Sequence, residues 1–426
     1  MGSRYEQQAS PALARQVQAL EGGEDPVSQA AGWVLAPVLG TFVRWVLERA
    51  LAAGVSRLYF LARDGWFPYR LAQTLCQAWK LPVECRYLYG SRLAWRQPLY
   101  AWDHRQAVAH LCRSGVAVTP DRVLARAGLS PQERVFLLAQ GGLEGERLLS
   151  PREREALADR LADWKEFLDV LDQRSRRALP EAEGYLRQEG LWDPVPWALV
   201  DSGWMGTLQE SLGALLEGLG WQGTLRGWYW GLYRAPRRGT WDCCYFRPGR
   251  DLSRQASFEP SFFEGVFSAP HGMTVGYLQK GGRFFPQLEE TRPLPLVAWE
   301  TRLFCRYGAL LAKEPGRLEA LPQGREVQPL LRLLLTRPTR AEAEAFGALP
   351  FSDDPARGVE TPLAAPLAKE ELSRRRLLSW ALFRERMPPS AWLPGSAVLA
   401  GAEEVLPVLD RIRWARVLRL AVRARW

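Results

Sequence analysis

The chain has 426 residues, 47% of them hydrophobic, so it can bury a sizeable core yet is too long for a single one; two or three domains, or one domain with large insertions, are expected. Lys and Arg number 56 against 47 Asp and Glu, and the net charge of +9 favours an anionic partner such as phosphate, nucleic acid or an acidic membrane surface. Six cysteines without CxxC spacing and three histidines without an HxxxH pattern argue against a disulfide framework and against a histidine zinc site, as expected of a cytoplasmic protein.

In chain order, residues 1–30 are polar and Gly-containing and read as a frayed arm with no secretory signal. The apolar run from Ala30 to Val43 is interrupted by Arg44, which leaves it shorter than the ~20 residues that span a bilayer. Residues 33–53 read as a mostly buried helix stopped by Gly54. A strand over 58–61, a loop Arg63-Asp64-Gly65-Trp66 and a helix over 67–79 follow, with Pro68 in the first helical turn and Leu71, Leu75 and Ala78 on one face. After Pro82 an extended segment, VECRYLYGSR, ends at Ser91-Arg92.

Residues 96–190 switch to helices with explicit start signals. Ser130-Pro131-Gln132-Glu133 and Ser150-Pro151-Arg152-Glu153 each place a capping Ser, a first-turn Pro and a Glu three residues on. Leu157, Leu161, Trp164, Leu168 and Leu171 trace one face of a single long helix. This block reads as a helical insertion between two halves of a sheet domain, residues 31–95 and 191–290.

The second half opens on VPWALVDSGWMGTLQESL. A short apolar strand, Trp197 to Val200, surfaces at Asp201; Gly203 and Gly206 permit a tight loop with close ligand approach, and Thr207 begins a helix. That is the form of an anion cradle, and equally of a plain glycine turn when taken alone. Residues 224–233 read as a further strand. In residues 258–285, Glu259, Glu264 and His271 lie among aromatics and glycines, a density of polar groups suited to lining a pocket. From Leu294 the chain, residues 291–426, is helical and Arg-rich, with a capping box at Thr339 to Glu342. It ends in RIRWARVLRLAVRARW, where Ile412, Val417, Leu418 and Ala421 alternate with Arg411, Arg413, Arg416, Arg419 and Arg423. Such a tail suits an anionic membrane surface or, as readily, a terminal helix packed on the body with its arginines outward.

Alternating strand, loop and helix units predict an α/β fold with a mainly parallel, Rossmann-like sheet, a helical insertion and a helical C-terminal region. Ligands of such sheets bind at the carboxyl ends of the strands, where the loops at 63–66 and 201–207 would meet. Arginines and backbone amides there take anions, and carboxylates take hydroxyls.

ARDGWFPYRLA resembles the pyrophosphate loop of phosphoribosyltransferases, of the form ARGGxxPAxxLA, and LVDSGWMGTLQESL resembles their second signature, an apolar strand, two acidic residues and a Thr-rich phosphate loop. More of the chain, from about Trp33 to Phe285, resembles glycan phosphoribosyltransferases of bacterial surface-polysaccharide clusters, through LYFLARDGW, YLYGSR, VDSGWMGT, GWYWGLY and FFEGVFSAPHGMTVGY. The resemblance implies a phosphoribosyltransferase-like fold and the use of phosphoribosyl pyrophosphate (PRPP), with Mg2+, to place a 5-phosphoribofuranosyl unit on a glycan acceptor, lipid-linked at the inner face of the cytoplasmic membrane. It further implies a haloacid-dehalogenase-type phosphatase as pathway partner. RDGW and VDSGW lack the Asp-x-Asp pair of such phosphatases, so that activity is expected on a separate chain.

By the same resemblance Arg63, Asp64, Gly65 and Trp66 contact pyrophosphate, with Arg92 adding charge. Asp201 holds ribose hydroxyls, and Ser202, Gly203, Trp204, Met205, Gly206 and Thr207 cradle the 5-phosphate. Asp64, Asp201 and Glu264 are the candidates for the catalytic base, and the metal ligands are unknown. The sequence departs from the family pattern in having Ser202 for the second acid, Asp64 for a glycine and a loop shorter by about two residues. A nucleotide-sugar glycosyltransferase and a non-catalytic PRPP or nucleotide-binding module are the alternatives; a nucleic-acid partner is not expected, because no clustered basic stripe with interleaved aromatics occurs outside the tail.

Overall fold

The computed structural model describes residues 4–20, 23, 25–113, 118–291, 295–314, 317–351, 361–383 and 390–423. Leu294 and residues 424–426 of the basic tail lie outside the described residues.

The fold is α/β around a five-stranded, all-parallel sheet in the order β2-β1-β3-β4-β5. Its strands are β1 (Arg57–Leu61), β2 (Glu84–Leu88), β3 (Trp197–Trp204), β4 (Arg226–Leu232) and β5 (Thr240–Phe246). Both faces are covered, as a parallel sheet requires. Leu58, Phe60, Ala198, Val200, Trp228 and Trp230 belong to one apolar core, while Tyr59, Leu61, Trp197 and Leu199 belong to another on the opposite face. The alternation follows from the period of two along a strand.

Residues 4–20 are packed, in contrast to the frayed arm expected. The segment Ser10-Pro11 starts α1 (Pro11–Ala19), with Ser10 accepting from the Leu13 amide at 3.3 Å, and Leu13, Val17 and Leu20 bury one helical face. Arg4 and Tyr5 both bond Glu342 of the C-terminal region. The following α2 (Pro26–Ala52) runs 27 residues, long and apolar enough to cross a bilayer, but 89% of its apolar 18-residue window is buried inside the protein. It contains a π turn at Ala31–Leu35, and Arg44 near its end bonds the carbonyls of Glu319 and Leu321 rather than solvent. Gly54, at φ +62°, terminates it.

After β1 comes α3 (Trp66–Trp79), and after β2 the short α4 (Arg92–Arg96). The insertion contains α5 (His104–Leu111), α6 (Pro120–Arg126), α7 (Pro131–Gly141), α8 (Pro151–Asp163) and α9 (Lys165–Gln188) around a separate core from Tyr100 to Leu171. Both serine capping boxes form. The single long helix expected across Trp164 is instead two, because Trp164 takes extended dihedrals (φ −88°, ψ 100°) and packs against Phe167.

After β3, α10 (Thr207–Gly218) returns the chain to the other end of the sheet. The strand β5, not anticipated from sequence, is joined to β4 by residues 233–239 alone, although parallel strands usually need a longer, helical crossover. Seven extended residues reach about 23 Å, the length of a seven-residue strand. This segment is laid along α10 by Gln209 to the Arg238 carbonyl (2.6 Å), the Arg237 amide to Glu210 (3.1 Å) and Arg238 to Glu217 (3.0 Å).

The stretch expected to be a pocket-lining loop at 258–285 is mostly regular. It follows α11 (Leu252–Ser257) directly and contains α12 (Pro260–Val266) and most of an antiparallel hairpin, β6 (Thr274–Lys280) and β7 (Arg283–Leu288). Gly281 and Gly282, at φ +58° and +77°, make its two-residue turn. Gln188 of α9 clasps the hairpin through the Phe284 amide and carbonyl, both at 2.9 Å.

The C-terminal region supplies α13 (Pro295–Leu311) and α14 (Gly324–Thr336), which close the α2 side of the sheet core. Gly40 of α2 lets α13 approach, since a Cβ there would stand 2.7 Å from the Tyr307 hydroxyl oxygen. The helices α15 (Arg340–Gly347), α16 (Arg374–Phe383), α17 (Leu393–Leu399) and α18 (Leu406–Arg423) contribute to a further apolar cluster. The capping box at Thr339 and Glu342 forms as read from sequence.

Candidate active site

With β1 between β2 and β3, the chain leaves β1 toward one edge of the sheet and later resumes on its other side. Ligands of open α/β sheets bind in the crevice outside the carboxyl ends at such a reversal. Here it lies between the β1–α3 loop and the β3–α10 turn, the two sequence motifs.

The β1–α3 loop is held in a strained form. Arg63 sits at φ +71°, an unusual conformation for a residue with a Cβ, and Gly65 is obligatory because a Cβ would come within 2.3 Å of the Leu61 carbonyl. The Arg63 amide donates to the Tyr87 hydroxyl at 2.8 Å, and the Arg63 guanidinium reaches Ser268 at 3.0 Å, bridging to the segment after α12. Tyr87 in turn meets His271 Nε2 at 2.8 Å, while His271 Nδ1 lies 2.9 Å from the Gly272 carbonyl. A neutral imidazole protonated at Nδ1 satisfies both contacts, and burial holds the His271 pKa below its ordinary value. Trp66, Tyr69, Tyr87, Tyr89 and His271 pack ring to ring beside this loop.

The β3 motif differs from its sequence reading in one respect. The strand does not surface at Asp201 but continues through Trp204, so Asp201 and Ser202 are buried ladder residues, and Asp201 is paired in register with Tyr229. Only Met205 and Gly206 separate strand from helix. The cause is aromatic packing: Trp204 stacks among Phe246, Phe258 and Phe263 and extends the strand to reach them. The cost is concentrated in the backbone, with Gly203 at φ +116°, Trp204 at +71° and Gly206 at +64°. A Cβ on Gly203 would be 2.2 Å from the Gly231 carbonyl, so only glycine fits.

Three carboxyl groups converge here. Ser202 donates to Asp64, joining the two motifs directly, and the Trp204 indole donates to Glu264 of α12 at 2.7 Å. Burial raises the pKa of all three. Asp64 is raised despite the Ser202 hydrogen bond; Asp201 is pushed well above the usual carboxylate range by burial and then by the Asp64 charge; Glu264 is raised to about 7 for the same two reasons. Arg92 opposes the rise at both Asp201 and Glu264, which places its charge in the same field. It stands in the first turn of α4, fixed by the Ser91 cap (Oγ to the Ala94 amide, 3.0 Å; to the Thr274 carbonyl, 2.6 Å) and by buried Trp95. Arg92 itself makes no hydrogen bond or ion pair among the described residues.

Both helices that start at the crevice, α3 and α10, begin at glycines without a side-chain cap, and the amides of Thr207, Leu208 and Gln209 have no acceptor among the described residues. Free amides at a helix start attract anions. Among the described residues no group of three or more His, Cys, Asp or Glu is disposed to hold a metal ion.

Of the residues singled out from sequence, Arg63, Asp64, Arg92, Asp201, Ser202, Glu264 and Thr207 are brought to one end of the sheet. Gly65, Gly203 and Gly206 shape its backbone, Trp66 joins the aromatic cluster, Trp204 is a core residue that holds Glu264, and Met205 is exposed. Glu259 is not in the site: it pairs with Arg413 of α18. Sequence reading missed Tyr87 and Ser268, which carry no motif, and left His271 without its partner. Protein-family models and curated proteins gave no match to this chain.

Proposed function

We propose that the protein is a glycan phosphoribosyltransferase with a phosphoribosyltransferase-like fold, moving 5-phosphoribofuranose from PRPP to a sugar hydroxyl. The observation that carries this reading is the meeting of Asp64, Asp201 and Glu264 with Arg63 and Arg92 between two uncapped helix starts. Anionic ends and a hydroxyl-bearing ring are the features of a ligand that such a mixed site suits.

In this reading the 5-phosphate lies on the free amides of α10, Asp201 accepts from the ribose hydroxyls, and the pyrophosphate lies at the β1–α3 loop, where it competes with Ser268 for Arg63. The acceptor oxygen bonds to C1 of the ribose, the bond from C1 to the pyrophosphate oxygen breaks, and its electron pair leaves with pyrophosphate. The acceptor proton passes to Glu264, whose pKa of about 7 suits a base at neutral pH. Arg63 and Arg92 counter the charge growing on the leaving group. Magnesium belongs to the substrate, as its complex with PRPP; the described residues form no metal cage, and no step is routed through one. The product keeps its 5-phosphate, whose removal falls to a separate phosphatase.

The test is incubation with PRPP, magnesium and a panel of glycan acceptors, following pyrophosphate. Acceptor-dependent release, lowered at least about 100-fold in Asp201→Asn, is expected. Turnover of a nucleotide sugar, with no pyrophosphate released from PRPP by any acceptor, overturns the reading.

A further inference from the structure

The C-terminal helix α18 has two unlike faces. Its inner face packs on α11 and α16, with Ile412 and Val417 8% and 4% exposed, Asp410 paired with Arg337 at 2.5 Å, and Arg413 paired with Glu259. Its outer face carries Trp414 and Leu418, 39% and 49% exposed and one turn apart, beside Ala415, Arg411 and Arg419, whereas Arg416 lies on the side of Arg413 and Tyr233. Arg411 and Arg419 make no hydrogen bond or ion pair among the described residues.

We propose that this outer face docks the protein on an anionic lipid surface, with Trp414 and Leu418 entering the headgroup boundary and Arg411 and Arg419 against lipid phosphates. The pattern is that of an interfacial helix: an amphipathic ring and an aliphatic side chain at one level, flanked by cations whose long stems reach past them. Charge complementarity selects the occupant, since the arginines lack protein anions and the whole chain is at +9. Position adds a reason. Arg413 ties α18 to Glu259, the residue that precedes α12, and α12 carries Glu264. The docking helix and the candidate base are therefore braced together, and a lipid-linked acceptor at the same surface would be presented to the site; that last step alone rests on the proposed function.

The experiment is co-sedimentation of the full chain with phosphatidylcholine vesicles, with and without phosphatidylglycerol. Binding is expected only with the anionic lipid, weakening as salt is raised. The double variant Trp414→Ala/Leu418→Ala should bind at least about tenfold more weakly, the loss expected from two partly inserted apolar side chains. Arg411→Gln/Arg419→Gln, which removes no hydrogen bond or ion pair among the described residues, should give a comparable loss and covers the case in which the first variant melts early. Equal binding to neutral vesicles, retained binding in either folded variant, or nucleic acid displacing the vesicles with no effect of Trp414→Ala/Leu418→Ala overturns the proposal. Vesicle binding needs no transfer reaction, so its failure leaves the assignment of the site untouched.

Discussion

Glu264 accepts a hydrogen bond from the Trp204 indole, and burial and the Asp64 charge oppose its ionisation more than Trp204, Arg92 and Arg63 favour it. If it accepts the acceptor proton, transfer should rise with pH through about 7 and then level, and Glu264→Gln should lower turnover about 100-fold or more and flatten that profile. The same group affects stability with a definite sign. Its folded-state pKa, about 7, exceeds the ordinary 4.5, so folding binds a proton between those values. Stability from this group is fully present below about 4.5, falls as pH rises toward 7, and stays reduced above it. Glu264→Gln keeps the acceptor for Trp204 and removes the charge. It should therefore raise the melting temperature at alkaline pH and leave it unchanged in acid, with a gain on the order of 1–3 kcal/mol. A melting temperature lowered equally at both pH values would show that the carboxylate is not the destabilising group. At this scale the sequence was informative where chemistry is carried by residue type: Asp64, Asp201, Glu264, Arg63 and Arg92 stood out as ionisable groups beside strands. Tyr87 and Ser268 did not, because a tyrosine in an alternating strand and a serine in a loop look the same whether or not a backbone amide or a guanidinium lies across from them.

Among elements, β3 is where local sequence and tertiary packing disagree. Asp-Ser-Gly is a turn signal, and a loop from Asp201 is its natural reading. The aromatic cluster of Phe246, Phe258 and Phe263 draws Trp204 inward, and the strand follows, at the expense of three departures to positive φ at Gly203, Trp204 and, after Met205, Gly206. Gly203→Ala should consequently destabilise the protein by about 2–4 kcal/mol, since both the dihedral and the 2.2 Å approach to the Gly231 carbonyl forbid a Cβ. Thermal or urea unfolding checks this, and a neutral substitution would mean that the strand end relaxes freely. The hairpin at Gly281-Gly282 was legible in principle, as two glycines between alternating runs, and was obscured by the polar residues upstream. The crossover at residues 233–239 was not legible, because no local rule places two neighbouring strands in parallel with so short a connection. What permits it is the row of side chains on α10, Gln209, Glu210 and Glu217, that receives the extended chain.

For the whole molecule, the first residues and the C-terminal region hold each other. Glu342, only 3% exposed, accepts from Arg4, Tyr5 and the Thr339 amide, and its side chain both caps α15 and anchors the N-terminal segment. Tyr5→Phe removes one of these donors without opening a cavity and should cost about 1–2 kcal/mol in unfolding experiments; no change in stability would assign the clamp to Arg4 alone. Composition, the serine and threonine capping boxes and the alternation of strand, loop and helix determined by themselves that this is an α/β chain with a helical insertion and a helical C-terminal region, because those signals are local and repeat at the period of each element. They also brought the two glycine motifs to the carboxyl end of one sheet, since parallel strands leave no other place for the loops that follow them. Tertiary structure alone decided the strand order that makes β1 and β3 neighbours, the extension of β3 that buries Asp201, the bond from Ser202 to Asp64 across 138 residues of sequence, and the capture of the N-terminal segment by Glu342. Each of these depends on contacts between residues far apart in the chain, where burial and desolvation act and local propensity has no voice.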